Sequence, residues 1–174
     1  MSLRSSLAIL GVLAVFGLLV FGLLSKGSSG LEIGDSAPVE TLPQLEGGGS
    51  ESLADYRGRW VLVNFWASWC PPCRAEAADL QQFQEEFGGP KFTVLGIDSR
   101  DLTDDGVDFV ERYAMTYPQL RDGNGDTAHA FGTTGLPESF LIDPKGKVRL
   151  HAAGEVDEAY LGEEVVPLLP GGQS

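Results

Sequence analysis

Cysteine is scarce in this chain: of 174 residues, only Cys70 and Cys73 carry a thiol. A disulfide scaffold is thereby excluded, because a chain this long buries a core without staples. A four-residue loop also removes little unfolded-state entropy. Histidine is equally sparse, with His129 and His151 alone. One Cys-x-x-Cys plus two scattered histidines does not form a recognisable zinc set, and nothing points to a metal or a cofactor. Cations are few as well. Twelve Lys and Arg stand against 25 Asp and Glu, a net charge of −13. Arg4 and Lys26 both precede residue 31, so the remainder holds ten cations against 25 acids, or −15. That balance disfavours nucleic acid and anionic lipid as partners and reads as a solvated acidic surface. No segment repeats.

Only one long apolar run is present. Residues 5–25 carry no charge, and Leu7–Leu24 is an apolar block of 18 residues. As a helix rising ~1.5 Å per residue it would be about 27 Å long, close to a hydrocarbon core of ~30 Å. A cleavable secretory signal has a shorter core and a small-x-small site. Here Ser25–Gly30 follows directly, with no Ala-x-Ala and no cysteine to take a lipid. The expectation is an uncleaved membrane anchor with a transmembrane helix over about 7–24; secretion after signal cleavage is the alternative. Arg4 and the α-amino group against Lys26 bias the amino end inward. The rest then lies outside the cytoplasm, in a periplasm or at the outer face, where disulfide chemistry is permitted. The chain thus divides into residues 1–30, anchor and Gly/Ser linker, and residues 31–174, one domain.

Within that domain, Val39–Leu42 and the stretch after the Gly47–Ser50 turn suggest an amino-terminal β-hairpin, followed by one helical turn at Ser52–Tyr56. Trp60–Trp66 is apolar and β-branched, a buried strand. Pro71–Phe87 reads as a helix, with proline tolerated in its first turn. Phe92–Ile97 is a second strand. Asp104–Met115 is a second helix, with Val107, Val110 and Ala114 on one side. Phe140–Ile142 and Val148–His151 are strands across an Asp143–Gly146 turn, and Asp157–Leu169 is a terminal helix broken late by Pro167. This order, β-α-β-α-β-β-α, predicts an α/β fold with a central mixed sheet flanked by helices.

The two cysteines fall at the strand-to-helix turn, inside Trp69-Cys70-Pro71-Pro72-Cys73. A dithiol there is a thioredoxin-like redox signature. The attacking species in disulfide exchange is a thiolate, which needs a lowered pKa and access to solvent. Cys70 sits where free N–H groups and the helix dipole stabilise a negative sulfur. Cys73, one turn inside, is suited to resolve a mixed disulfide. Glu76 shares a stripe with Leu80, Phe83 and Phe87, so its carboxyl should be partly desolvated and its pKa raised toward a proton-transfer range. The alternatives are a surface pair with Arg74 or an ordinary first-turn glutamate. Asn64 is polar inside an apolar strand; it hydrogen-bonds but takes no proton.

Leu136-Pro137-Glu138 precedes the Ser139–Ile142 strand, and proline marks its start or a bend. Whether Leu136–Pro137 is cis is open from sequence, and the loop could leave backbone groups free for an extended substrate. Asp122–Asp126 resembles the opening of a calcium loop, but Thr127 and Thr133 replace its required glycine and glutamate, so a surface turn is expected. His129 and His151 read as isolated surface or packing residues.

The segment from Asn64 through Trp69 and the dithiol to Glu76 resembles the active-site stretch of the membrane-anchored, thioredoxin-like TlpA/ResA/CcmG (DsbE) group. Ile33–Pro38 and Gly135–Asp143 extend the likeness, which runs from about Leu31 to the final helix. The resemblance implies a thioredoxin-like fold, with Cys70 as nucleophile, Cys73 as resolving thiol, Glu76 as the active-site acid and Pro137 as a cis proline facing the dithiol. Trp69, Asn64 and Glu138 would support them. Asn64 stands where cytosolic thioredoxins usually carry aspartate. The implied activity is thiol:disulfide oxidoreduction, as a reductase of protein disulfides outside the cytoplasm. Apocytochrome c haem-attachment cysteines are a possible substrate, with a membrane electron donor restoring the dithiol. A dithiol oxidase and a redox-independent chaperone or docking module remain as other readings. A peroxidase does not fit, because Ala67 stands where threonine would be required.

Overall fold

The computed structural model describes residues 11–13, 15–18 and 30–171. The anchor expected over 7–24 lies mostly outside them; residues 11–13 and 15–18 are helical. Among the described residues, no helix is long and apolar enough to cross a membrane.

Strand β1 (Thr41–Pro43) pairs antiparallel with β2 (Ser50–Ser52), giving the expected hairpin. A 3-10 turn, Leu53–Tyr56, follows under a capping box of Ser52 and Asp55, which satisfies two donors the turn would otherwise leave free. The main sheet has the order β5-β4-β3-β6-β7. Its members are β3 (Trp60–Trp66), β4 (Phe92–Ser99), β5 (Gln119–Asp122), β6 (Glu138–Ile142) and β7 (Val148–Ala153). The β3–β4 and β4–β5 pairs are parallel, whereas β3–β6 and β6–β7 are antiparallel.

Strand β3 is central and buried on both faces, which is why it reads as one apolar run rather than as alternation. Val61, Val63 and Phe65 pack with Leu95, Ile97, Phe131 and Phe140 on one face. Leu62 and Trp66 pack with Leu80, Phe83, Phe109 and Val165 on the other. Side chains alternate along a strand, so Asn64 takes the Leu62 and Trp66 side. Helix α1 (Pro71–Phe87) covers that side together with α2 (Thr103–Arg112). The terminal helical segment joins them there. The opposite face is closed by α3 (Asp126–Phe131) and the 3-10 turn.

Three expectations are corrected. Helix α2 ends at Arg112, short of Met115, because Ala114 adopts a left-handed φ of 50° and Met115 N–H turns back to the Val110 carbonyl at 3.1 Å. Strand β5 and helix α3 were not expected at all. Gln119–Asp122 is short and polar, yet it pairs with β4 and its Gln119 carbonyl accepts from Leu45 N–H at 2.9 Å. Tertiary pairing, not propensity, makes it a strand. The terminal helix is three short pieces: α4 (Glu158–Tyr160), a π-helical turn (Leu161–Val165) and a 3-10 turn (Val166–Leu168) that contains Pro167.

Candidate active site

The dithiol lies beyond the carboxyl ends of the parallel strands, where open α/β sheets gather their reactive groups. Cys70 is the N-cap of α1, and its Sγ accepts from Cys73 N–H at 3.2 Å. The two cysteines form a disulfide, so this is the oxidised form. Solvent access for Cys70, expected from its role, is small in this form: Cys70 is 2 % exposed and Cys73 1 %. Trp69 beside them is 55 % exposed, which makes the indole a contact surface next to the dithiol. Its Nε1–H donates to the Arg100 carbonyl at 3.2 Å. Arg100 itself holds a left-handed φ of 56°, a conformation disfavoured for residues with a side chain.

Glu76 is buried at 2 % exposure, so the surface alternative fails. Arg74 turns instead to the Ser68 carbonyl, at 3.0 Å from Nε and 2.7 Å from Nη2. Asn64 Nδ2 donates to Glu76 Oε1 at 2.8 Å and to Ser139 Oγ at 3.0 Å. Val156 N–H donates to Oε2 at 2.9 Å. Burial raises the Glu76 pKa to about 7, although the bonds from Val156 and Asn64 favour the anion. A carboxyl poised there can give or take a proton one turn beyond Cys73.

The Leu136–Pro137 peptide is cis. Glu138, 2 % exposed, folds back onto the loop before it. Oε1 accepts from Thr134 N–H at 2.6 Å, Thr134 Oγ at 3.0 Å and Gly135 N–H at 3.1 Å. Its other oxygen meets His151 Nε2 at 2.7 Å. Burial opposes the anion, yet the donors from Thr134, His151 and Gly135 outweigh it and hold the carboxyl below the ordinary glutamate range. His151 is therefore not isolated; it also stacks on Phe140 with ring centroids 4.3 Å apart. A groove of about 160 Å³ runs between Trp69 and this loop, and Arg100, His129 and Leu136 also line it.

Sequence reasoning missed Ser139, Val156, His151, Asp98 and Asp101. Val156 acts through its backbone, which leaves no residue signal. Asp98 could have been noticed as a carboxylate closing an apolar strand. The Asp122 segment turns inward: its carboxyl accepts from Thr127 N–H at 3.2 Å and Ala128 N–H at 2.9 Å, holding the start of α3.

A dithiol capping a helix at the head of a mixed sheet, beside a cis-proline loop, defines a thioredoxin-like thiol:disulfide oxidoreductase. The chain belongs to the AhpC/TSA family, whose model matches residues 33–151. It is similar to the thiol:disulfide interchange protein DsbE of Allochromatium vinosum, 33% identical over 174 residues, covering 97% of this chain and 94% of that protein. It is 34% identical over 141 residues to the thiol-disulfide oxidoreductase ResA of Bacillus cereus, covering 80% of each. Among solved structures, a secreted thiol-disulfide isomerase from Corynebacterium glutamicum superposes with a TM-score of 0.69 at 30% identity. That match covers 83% of this chain and 93% of the other.

Proposed function

We propose that this protein reduces protein disulfides outside the cytoplasm, held to the membrane by the apolar helix over about 7–24. The Cys70 thiolate attacks one sulfur of a substrate disulfide and displaces the other as a thiolate. Cys73, losing its proton to Glu76, then attacks the Cys70 sulfur and releases the second substrate thiol. Two electrons pass to the substrate and the Cys70–Cys73 disulfide remains. Pro137 and Trp69 flank the substrate, and a membrane electron donor restores the dithiol. The observation that carries this reading is the buried Glu76 carboxyl, poised at about 7 one turn beyond Cys73. The similarity to proteins named ResA and DsbE supports apocytochrome c haem-attachment cysteines as the substrate class, and the relative described as secreted supports the location.

A Cys73→Ser variant tests it, because it should accumulate a mixed disulfide at Cys70 that mass spectrometry can identify. Apocytochrome among the trapped partners supports the maturation role; its absence from the trapped set removes it. An equilibrium potential near the oxidising end of the known span of roughly 150 mV would replace the reductase by an oxidase.

A further inference from the structure

A second buried acid sits close to the dithiol and takes no part in the exchange just described. Asp98, at the carboxyl end of β4, is 0 % exposed, and neither of its oxygens receives a hydrogen bond. An ionised carboxylate there would carry a desolvation penalty that no hydrogen bond offsets. The group is therefore a neutral acid, and its O–H needs an acceptor. Asp101 is in hydrogen-bonding contact with it. Asp101 is in turn the clasp of the active-site turn: Oδ2 accepts from Ser68 N–H at 2.5 Å, and Oδ1 accepts from Leu102 N–H at 2.8 Å. Each oxygen keeps a lone pair for a further donor. With the Trp69 indole bound to the Arg100 carbonyl, the stretch Asp98–Asp101 grips Ser68 and Trp69, the two residues before Cys70.

We propose that Asp98 is a positioning residue for the thiol–disulfide reaction: as a neutral acid it donates to Asp101 and so fixes the Ser68–Trp69 turn from which Cys70 projects. The charged groups facing it are Asp101 on its own segment and Arg121 and Asp122 on β5. From helix α2, Gly106 comes close enough that an added Cβ would lie 2.9 Å from Asp98 Oδ2 and 3.3 Å from Leu45 Cδ1. Arg121 forms no ion pair with Asp98; its Nη2 donates to the Asp101 carbonyl at 2.9 Å.

Burial first, and then the charge of Asp101, raises the Asp98 pKa to about 8, with Arg121 acting in the opposite sense. Below that value the proton bridges the pair. Above it two adjacent carboxylates repel in a dry site, and Asp101 withdraws from Ser68. The proposal concerns the exchange reaction itself and holds whichever protein supplies the disulfide.

Carboxyl and indole NMR of the oxidised full-length chain tests it, since no thiol titrates in that form. The probes are ¹³C-labelled aspartate and ¹⁵N-labelled tryptophan. One aspartate signal should titrate near pH 8 and vanish in Asp98→Asn. The Trp69 indole signal, identified by its loss in Trp69→Phe, should move with the same midpoint in the wild type. In Asp98→Asn it should stay still, because the new amide still donates to Asp101. In the reduced protein, the ratio of Asp98→Asn to wild-type exchange rates should change across that midpoint. An unchanged indole titration in Asp98→Asn, or a rate ratio constant with pH, overturns the proposal. If Asp98→Asn does not fold, the wild-type spectrum decides alone: no aspartate titrating above about pH 6, well over the ordinary range, overturns it too.

Discussion

Asn64 reaches from the central strand to Glu76 on the helix, 2.8 Å away, and gives its only two amide hydrogens to Glu76 and Ser139. The amide oxygen of Asn64 has no donor. Asn64 thus holds the acid in place without being able to exchange a proton with it, so the proposed acid–base role rests on Glu76 and not on Asn64.

Glu76→Gln should remove a pH dependence in both activity and stability. The folded pKa of about 7 lies above the ordinary glutamate value of 4.5, so the native state binds more protons than the unfolded chain between those values. Stability therefore falls as pH rises through that window and levels off above about 7. Removing the carboxyl should relieve on the order of 3 kcal/mol at pH 8 relative to pH 4. Urea unfolding of both proteins at the two pH values checks it; a stability difference that does not change with pH rejects it. The exchange-rate profile should lose its inflection near 7 as well.

Glu138→Ala should loosen the cis-proline loop. The change takes the acceptor from the Thr134 and Gly135 N–H groups and from His151; these three residues are exposed, so water replaces the carboxylate in part and the cost is about 1 kcal/mol. Because the Glu138 pKa lies below the ordinary value, its contribution is present above the unfolded pKa and is lost as pH falls through the folded one. Thermal unfolding at neutral and acidic pH should show the variant's deficit shrinking in acid.

Gly96→Ala should destabilise the sheet without touching the dithiol. An added Cβ would lie 1.9 Å from Gln119 Oε1 and 2.8 Å from Trp66 Nε1, breaking into the bond between those two groups, which is 3.0 Å long. Overpacking of this kind costs about 1–3 kcal/mol. A denaturant midpoint within error of wild type would show that β4 and β5 shift freely.

The central strand and helix α1 were legible because their patterns are long and local: β3 is apolar throughout, and Pro71–Phe87 carries its start signal in the prolines. The dithiol and the burial of Glu76 followed from spacing alone. What escaped was non-local. His151 looked solitary because its partner Glu138 is thirteen residues away, across an antiparallel pair. Asp98 and Asp101 gain their meaning only when parallel pairing sets Trp66 beside Asp98, which brings two loop starts together. Strand β5 exists because β4 and the Leu45 segment flank it, a fact absent from its own four residues.

The amino-terminal stretch joins the sheet at a specific place. Gly34 N–H donates to the Val148 carbonyl at 2.8 Å, Val148 N–H returns to Asp35 at 3.0 Å, and Ala37 N–H reaches Gly146 at 3.0 Å. The pairing of Val61 with Ile142 and Ile142 with Val148 puts that seam at the start of β3, whereas the dithiol lies past its end. The seven residues of β3 span roughly 20 Å at about 3.3 Å each. A tether acting through Gly34–Ala37 would grip the domain from behind and leave the redox face at the far end as a standoff, pointing away from the point of attachment.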